Sequence, residues 1–368
     1  MRTELDLVSA FMQAQQGFSG ARQLIRMSRL FIKLRQTSST QSTGDDLREL
    51  FSIAASPNWR QQVYSAVIVQ TYATHEKYVR DLAKATGDYL AETYSAYEDL
   101  PKKTRDEHMK LTVRRLQDIT ERGHVASTTD PRTMLNRLAT CLSVSGGVQL
   151  NLEVLTGHSS NYRSGVVVEV LDRFGVDVRT ASSSEDIGAL VGGVLNGIYA
   201  TVENVIDDLA NRRNEVAHGG PVDSTLGDED LDGIIDAVQG YDSWLNRHVA
   251  RNLLFDLVSR YGNVVGRVAR TWKNKSTGKR SIAGLPDVQT LLRKGDKAYL
   301  RPLQGKEAKP CTVASIEVQN VAVDAAIPGQ GPFGIELGCS LSDGWELLVL
   351  EDRWRSTADV LIHACIVT

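Results

Sequence analysis

The sequence is poor in the residues that mark metal-bound and disulfide-rich proteins. Its 368 residues include four cysteines, and these lie far apart with no C-x-x-C pair among them. Such spacing fits neither a zinc ribbon nor a disulfide-dense secreted scaffold, and it favours a reducing compartment. The seven histidines also show no close ligand spacing. We therefore predict no metal site and no cofactor.

Long apolar runs are missing as well. No window approaches the length that spans a bilayer, and the first residues mix Arg2, Glu4 and Asp6 into a layout unlike that of a signal peptide. These features predict a soluble, cytoplasmic protein without a membrane partner. Neither sign of charge dominates, because 42 Lys and Arg stand against 45 Asp and Glu, for a net charge of −3. Any nucleic-acid surface must therefore be a local patch.

A glycine-rich phosphate loop is also lacking. The segment VGGVLNG, 191–197, lies inside a helical pattern and resembles no phosphate loop. Nucleotide modification would need such a loop or a metal-binding carboxylate cluster, and the sequence shows neither. We therefore do not expect this chemistry.

The chain does contain a change of periodicity that divides it into two parts. Helical spacing of apolar residues dominates up to about residue 256, and short β-branched runs follow from about residue 286. The sequence thus predicts an α+β protein: a helical bundle over 1–256, a basic linker over 257–285 and a small β-barrel or sandwich over 286–368. The predicted strands are Thr312 to Val323, Gly334 to Leu337, Trp345 to Leu350 and Val360 to Val367, with a hairpin turn at Ser342, Asp343 and Gly344.

Seven segments of the first part have helical spacing. They are 21–35, 58–97, 101–122, 130–143, 165–173, 186–213 and 228–256. Asp130 is placed as an N-cap, with Pro131 at the first helical position. The clearest pattern is that of 186–213, where apolar residues alternate steps of three and one.

Polar residues replace apolar ones at the end of that clearest helix, in RRNEVAHGG, 212–220. Four residues beyond Leu209, on the same face, the sequence has Arg213, while Gly219 and Gly220 end the helix. A cation in a last helical turn is a common cap, and spacing alone supports a cap and an active site about equally. A capping cation, however, has no need to lie on the buried face. This placement favours a site for a ligand or partner.

The residue types at this helix end fit one reaction well. In a continuous helix Arg213 and His218 would diverge by about 140°, and the end of the helix lets the histidine turn back. Imidazole, with an unperturbed pKa of about 6.5, transfers protons near neutral pH, and a guanidinium binds phosphate oxygens bidentately. These groups suffice for metal-free RNA cleavage, in which the ribose 2′-hydroxyl attacks the adjacent phosphate. DNA is excluded because it lacks that hydroxyl.

A carboxylate lies on the inward face of the predicted helix 58–97. Glu76 follows Ile68 and Tyr72 at four-residue steps, which directs it towards the core. A buried carboxylate needs a partner. The candidates are Arg80, four residues further on, and a cation from another helix.

Residues 213–218, with the form R-x4-H and a polar residue after the arginine, resemble the signature of the HEPN superfamily (higher eukaryote and prokaryote nucleotide-binding). Residues 63–83 and 161–178 are similar to segments of its RiboL-PSP-type branch. The resemblance covers roughly residues 50–256. It implies an all-α bundle and, in active members, a metal-independent endoribonuclease whose Arg and His line a cleft between two HEPN units.

Carried onto this chain, the resemblance implies a role for each residue of the motif. Arg213 is the phosphate and transition-state ligand, His218 transfers protons, and Asn214 orients them, while Glu76 holds Arg213 in place. The cleft between two HEPN units implies a homodimer, and attack by the 2′-hydroxyl implies 2′,3′-cyclic phosphate ends. Many relatives are toxins or antiviral effectors, which implies self-toxicity that is restrained by a partner, such as an antitoxin, or by conformation. The alternative is a non-catalytic HEPN module that binds RNA, a nucleotide or a protein.

A basic stretch lies between Arg260 and Pro286, where the sequence has no acidic residue. Cations there surround an aromatic ring that can stack on a base. A solvated linker explains the composition equally well. The candidate RNA contacts, with Arg212 of the helix end included, are Arg212, Arg270, Trp272, Lys273, Lys275, Lys279 and Arg280.

Overall fold

The computed structural model describes residues 7–37, 49, 52–53, 56–122, 130–143, 147–179, 187, 195, 197–218, 226–305 and 307–366. The chain divides into two compact units, Met1–Asn246 and Arg247–Val367. None of the helices in the described ranges has the length and apolar character that crossing a bilayer requires.

The first unit is helical. Its helices are α1 (Leu7–Thr37), α2 (Pro57–Thr93), α3 (Lys102–Arg122), α4 (Pro131–Leu142), α5 (Leu152–Thr156), α6 (Ser164–Asp172), α7 (Val202–Ala217) and α8 (Asp228–Tyr261), and a 3-10 turn, Tyr97–Asp99, precedes α3. The last residues of α8 belong to the second unit. The helices predicted at 58–97, 101–122, 130–143, 165–173 and 228–256 are confirmed within a few residues, and the one predicted at 21–35 is the second half of α1.

Helix α2 is the central element of this unit and contacts α1, α5, α6 and α7. Ser56 caps its start by accepting a hydrogen bond from the Trp59 N–H at 3.2 Å. Its buried side chains recur at steps of three and four, as in Ile68, Tyr72 and Val79. Among them, His75 lies 2.8 Å from the Asp242 carboxylate of α8, and both side chains are fully buried. Polar as well as apolar contacts therefore fix α2 in the bundle.

Helices α3, α4 and α5 meet around Asn151. Its backbone N–H donates to Nε2 of His108 at 3.0 Å, and its side-chain amide donates to the Thr112 hydroxyl and the Met134 carbonyl. Helix α4 begins as the sequence predicts, because the Asp130 carboxylate accepts from the Thr133 N–H with proline at the first position.

The helix predicted at 186–213 is wrong in its bounds. Helix α7 begins only at Val202, where the Thr201 hydroxyl accepts from the Asn204 N–H at 3.3 Å. Before it, Gly197 has φ +86°, a left-handed conformation that interrupts an α-helix, and Ile198 is exposed. Apolar spacing continues across this turn and conceals the break. Most of 186–196 lies outside the described residues.

The second unit contains an antiparallel sheet and one further helix. The strands are β1 (Gly262–Arg267), β2 (Arg270–Lys273), β3 (Arg280–Leu285), β4 (Leu292–Arg293), β5 (Lys297–Arg301), β6 (Lys309–Val318), β7 (Val321–Val323), β8 (Ala325–Ala326), β9 (Phe333–Leu337) and β10 (Glu346–Leu350), followed by α9 (Asp352–Ile366). The main sheet has the order β1-β10-β5-β6-β9-β3-β2, with β7 beside β6, and β4 pairs with β8.

The fold is thus α+β, with a mostly helical N-terminal region and a C-terminal antiparallel sheet. The barrel alternative is wrong, because β1 and β2 are the two ends of the strand order and do not pair with each other in the described part of the chain. A sandwich remains compatible with this order. Residues such as Val265, Val313 and Leu347 form the core of the unit.

The segment predicted as a basic linker, 257–285, consists of the end of α8 and strands β1 to β3. Strand β2 lies at the edge of the sheet, and several of its side chains face solvent. The polar residues of this edge strand and of the turn after it have the composition of a linker, which explains the error.

Two further strand predictions need correction. The predicted strand 312–323 is a hairpin, because Gln319 and Asn320 adopt positive φ between β6 and β7. Residues 360–366 of the predicted strand 360–367 belong to α9, whose buried residues Ala358, Leu361 and Ala364 recur every three positions, a helical spacing hidden by the β-branched composition. The residues 342–344 do form a turn, yet the strands that they join, β9 and β10, are not partners.

Candidate functional site

The site is built on the last turns of α7. This helix buries Val205, Ile206 and Leu209, and Arg213 follows on the same face with its side chain partly buried. The Arg213 guanidinium lies over the ring of Tyr72 in α2, 5.2 Å from the ring centroid. A cation at this distance is attracted by the face of the ring. Tyr72 therefore supports the arginine through the face of its ring.

Asn214 holds the same guanidinium through a hydrogen bond. Its amide oxygen accepts from Nη1 of Arg213 at 3.2 Å and from the Asn161 amide nitrogen at 2.8 Å. Asn161 lies in the segment that precedes α6. The orientation of Arg213 thus depends on α2, α7 and this segment together.

Tyr72 is fixed by its hydroxyl, which accepts a hydrogen bond from the Tyr162 backbone N–H at 2.9 Å. Burial raises the pKa of Tyr72 to about 12, with the nearby Glu76 acting in the same direction and the Tyr162 N–H and Arg213 acting against it. The phenol therefore stays neutral at physiological pH. Its contribution to the site is a fixed aromatic surface and a hydrogen-bond acceptor.

Glu76 is placed beside Tyr72, but it does not hold Arg213 directly. Its carboxylate accepts from Nη2 of Arg80 at 2.6 Å, one turn along the same helix, and 27% of its side chain is exposed. The structure records no ion pair between Glu76 and Arg213 in its described ranges. The intrahelical partner considered from the sequence is the one observed.

Arg213 keeps most of its donors for a ligand. Asn214 accepts from one of the five N–H groups that a guanidinium carries. Within the described residues, no carboxylate pairs with Arg213. A partly buried cation without a neutralising carboxylate attracts an anion, and the planar fork of a guanidinium suits a phosphate.

His218 is the C-cap residue of α7. Its backbone N–H donates to the Asn214 carbonyl at 2.9 Å, and its imidazole is exposed. No charged group contacts that imidazole in the part of the chain that the structure describes. The predicted stop at Gly219 and Gly220 lies outside this part. His218 thus ends the helix that carries Arg213, and it is exposed to solvent.

Arg212 behaves differently from its neighbour. Its Nε donates to Asp208 at 2.6 Å and its Nη1 donates to the Tyr64 hydroxyl at 2.9 Å. The side chain is 15% exposed. Arg212 therefore ties α7 to α2, and we remove it from the candidate RNA contacts.

Three residues of the site carried no recognisable signal in the sequence. The sequence pattern indicates that Tyr72 is one more residue of the apolar face of α2 and that Asn161 is a loop residue before α6. Asp207 accepts from both the N–H and the hydroxyl of Ser164, each at 2.9 Å, and so attaches the start of α6 to α7. These contacts join segments distant in the chain, which local spacing cannot reveal.

The second unit carries the predicted basic patch as a β-hairpin, Arg270–Arg280, which we call the basic hairpin. Trp272 lies on its first strand, is 42% exposed, and has the Arg270 guanidinium 5.8 Å from its ring centroid. A Cβ at Gly284 would come within 2.4 Å of the indole, so only glycine lets the ring pack there. Trp272 is therefore held as an exposed aromatic surface.

The other residues of the basic hairpin are cations that face solvent. Lys273, Lys275, Lys279 and Arg280 are exposed, and the described ranges contain no carboxylate paired with any of them. Asn274 shapes the turn, since its side-chain oxygen accepts from the N–H groups of Ser276 and Thr277. The structure thus brings the predicted patch together, apart from Arg212, on one ordered hairpin.

Fold and site together define a helical-bundle protein that carries an arginine, an amide and a histidine at the end of one helix. The RiboL-PSP-HEPN family model matches residues 41–246. This match covers more than half of the chain, and the chain belongs to that family, a branch of the HEPN superfamily. No curated protein matches the sequence. The HEPN domain supports a nuclease or RNA-binding role, and such domains often dimerise.

Proposed function

We propose that this protein is a metal-independent HEPN endoribonuclease that works as a homodimer. The observation that carries the proposal is the unneutralised guanidinium of Arg213, held by Tyr72 and Asn214 at the helix end where the His218 imidazole is exposed. A structural cap needs neither a fixed guanidinium without a carboxylate nor an exposed imidazole at the end of the same helix.

In the proposed reaction the ribose 2′-oxygen attacks the adjacent phosphorus and the 5′-oxygen leaves. His218 transfers a proton to or from one of these oxygens, and Arg213 binds the non-bridging phosphate oxygens as negative charge develops. Asn214 and Tyr72 position the guanidinium. The products are a 2′,3′-cyclic phosphate end and a 5′-hydroxyl end, and the second copy in the homodimer brings an equivalent pair of residues.

The basic hairpin supplies RNA binding in this proposal. Its cations contact phosphates, and Trp272 stacks on an unpaired base, a combination that tolerates many sequences. This surface favours single-stranded RNA, because a base in a helix cannot reach an indole. The C-terminal unit then acts as the RNA-capturing part of the protein.

We place this activity in the cytoplasm, as that of a toxin or antiviral defence effector. Cleavage of cellular RNA with little sequence preference harms the host, so an antitoxin or other regulatory partner must restrain it. The family supports a nuclease or RNA-binding role, and the toxin or defence assignment is our extension of that role.

The test incubates wild type, Arg213→Ala and His218→Ala with mixed cellular RNA in EDTA and analyses the fragment ends. We expect cleavage with 2′,3′-cyclic phosphate ends that falls roughly 10²- to 10⁴-fold in both variants. Arg114→Ala and His363→Ala, which remove the same residue types at other exposed helical positions, are the matched controls and keep wild-type activity.

Circular dichroism must show that both site variants are folded. RNA binding without cleavage by the wild-type dimer, unchanged in the site variants, would instead identify a non-catalytic HEPN module. Cleavage that EDTA abolishes, or that the Arg213 and His218 variants retain, would refute the proposed chemistry.

A further inference from the structure

Two of the four cysteines face each other in the sheet of the second unit. Strands β6 and β9 are antiparallel, with Val313 opposite Leu337, and the Gly338 N–H donates to the Thr312 carbonyl at 3.0 Å. The next positions outward on the same face are Cys311 and Cys339. Cys311 is 9% exposed in the core, and Cys339 packs against that core while partly exposed.

The thiols of this pair are close enough to affect each other's ionisation. The Cys311 thiol donates a hydrogen bond to the Ala298 carbonyl at 3.4 Å, and its interaction with Cys339 shifts the pKa values of the two thiols in opposite directions. Opposite residues of an antiparallel pair have Cα atoms about 4.5–5.5 Å apart, within the range of about 4.4–6.8 Å that disulfides span. Cys339 lies two residues beyond the end of β9, where the Gly338–Thr312 hydrogen bond continues the register, so a bridge between these positions needs no change of strand register.

The two cysteines differ in reactivity. The neighbouring Cys311 thiol and the positive charge of Lys309 lower the pKa of Cys339, although burial acts against them. The Lys309 ammonium lies 4.8 Å from the Trp345 ring centroid, which keeps it on this part of the sheet. The contact with Cys339 and burial raise the pKa of Cys311. Cys339 is thus the better nucleophile and Cys311 a resolving thiol.

The other two cysteines lack these features. Burial raises the pKa of both Cys141 and Cys365. Cys141 lies in the first unit, where its sulphur accepts from the Gln149 N–H. Neither has a thiol partner among the described residues, so both serve as internal controls.

We propose that Cys311 and Cys339 form a redox-active dithiol that peroxide oxidises to an intramolecular disulfide. The Cys339 thiolate attacks one peroxide oxygen, the O–O bond breaks, and water leaves to give a sulfenic acid. The Cys311 thiol then attacks that sulphur and releases a second water. The two sulphurs lose two electrons in total, which the two peroxide oxygens gain. The bridge links β6 to the end of β9 and requires no part of the proposed ribonuclease reaction.

The test treats the full-length protein with hydrogen peroxide, blocks the remaining thiols and maps peptides by mass spectrometry without reduction. We expect one linked peptide pair that contains Cys311 and Cys339, a mass loss of about 2 Da, and reversal by dithiothreitol. The control variant Cys141→Ser/Cys365→Ser gives the same bridge. If the oxidised wild type has no Cys311–Cys339 bridge, or has a bridge to another cysteine, the proposal is overturned.

A second measurement separates the two roles. In Cys311→Ser a sulfenic acid probe such as dimedone labels Cys339, because no thiol resolves it, while Cys339→Ser leaves Cys311 with little label. Equal labelling of the two positions overturns the assignment of the nucleophile. Thermal unfolding of oxidised and reduced wild type needs no variant and shows a higher Tm for the oxidised form, since the bridge restricts the unfolded chain.

Discussion

Arg212 and Arg213 are neighbours in the chain with different surroundings. Arg212 is held by Asp208 and Tyr64, whereas Arg213 lies on Tyr72 without a carboxylate partner in the described residues. Their loss should therefore affect different properties. We expect Arg212→Ala to lower the free energy of unfolding by about 1–3 kcal/mol, because it removes the hydrogen bonds to Asp208 and to the hydroxyl of the buried Tyr64.

Comparison with Arg213→Ala tests whether Arg213 belongs to the site while Arg212 has a structural role. We expect that variant to lose cleavage with a much smaller change in stability. Urea unfolding and RNA cleavage of the two variants, measured side by side, check the prediction. Equal losses of activity at near-equal stability would show that both arginines belong to the site.

Tyr72 supports Arg213 through its ring and is anchored through its hydroxyl. Tyr72→Phe keeps the ring but leaves the Tyr162 N–H without its acceptor, so we expect a stability loss of about 1–3 kcal/mol and near wild-type cleavage. Tyr72→Leu removes the ring as well, and we expect a further two- to about thirty-fold loss of kcat/KM. Steady-state kinetics at a temperature where both variants are folded separates the two effects.

At the scale of single elements, the α3–α5 contact depends on a neutral histidine. His108 Nε2 accepts from the Asn151 N–H, so its proton must lie on Nδ1, facing the Tyr97 hydroxyl at 3.1 Å. Burial lowers the pKa of His108 from 6.5 to about 4. Between these values the folded state binds fewer protons than the unfolded state, so stability falls as the pH drops through this window.

We expect the free energy of unfolding to decrease by about 2 kcal/mol between pH 7 and pH 5 on account of this one residue. His108→Gln should show a correspondingly flatter pH profile, whereas His363→Gln, at an exposed position, should match the wild type. Urea unfolding at several pH values measures this. If the free energy of unfolding of the wild type depends on pH no more steeply than that of His108→Gln, the assignment of this pH dependence to His108 is wrong.

Helix α7 depends on Thr201 for its start. Thr201→Ala removes the acceptor for the Asn204 N–H and should cost about 1 kcal/mol of stability. Thr201→Asp keeps an acceptor and is the matched control. Because Arg213 lies at the other end of α7, we expect cleavage by both variants to stay close to that of the wild type, as measured where they are folded.

Helix α7 also shows which structural features can be predicted from the sequence and which cannot. Its C-terminal half was predictable, because Leu209 and Arg213 share a face whatever the start of the helix. Its first residue was not, since a glycine turn at Gly197 preserves the apolar spacing and only a tertiary fold selects the break. In the same way R-x4-H was visible in the sequence, whereas Tyr72 and Asn161 reach the site through packing of distant segments.

At the scale of the whole molecule, the family match ends at residue 246 and leaves the C-terminal unit without an assigned family. Composition alone could not tell its edge strands from a linker, because outward-facing lysines look the same in both. The strand order and the exposure of Trp272 required the structure. The function of this unit therefore has to be tested through binding.

We expect the basic hairpin to set the salt dependence of RNA binding. Each phosphate contact to a single strand contributes about 0.7 to the slope of log K against log salt, so Lys275→Gln/Lys279→Gln should reduce the slope by about 1.4. Fluorescence anisotropy with a single-stranded RNA over a NaCl series measures this. Lys102→Gln/Arg114→Gln removes two exposed charges elsewhere in the chain. Its slope should therefore be steeper than that of the hairpin double variant. Identical slopes for the two double variants would mean that the hairpin does not bind phosphates.

Asn161 and Tyr162 are consecutive residues, and they hold the two supports of Arg213. One donates to Asn214 and the other donates to the hydroxyl of Tyr72. A shift of this single dipeptide would release both supports together, whereas a change at Tyr72 or at Asn214 removes one. The alignment of the arginine is therefore most sensitive to two residues that do not contact it themselves.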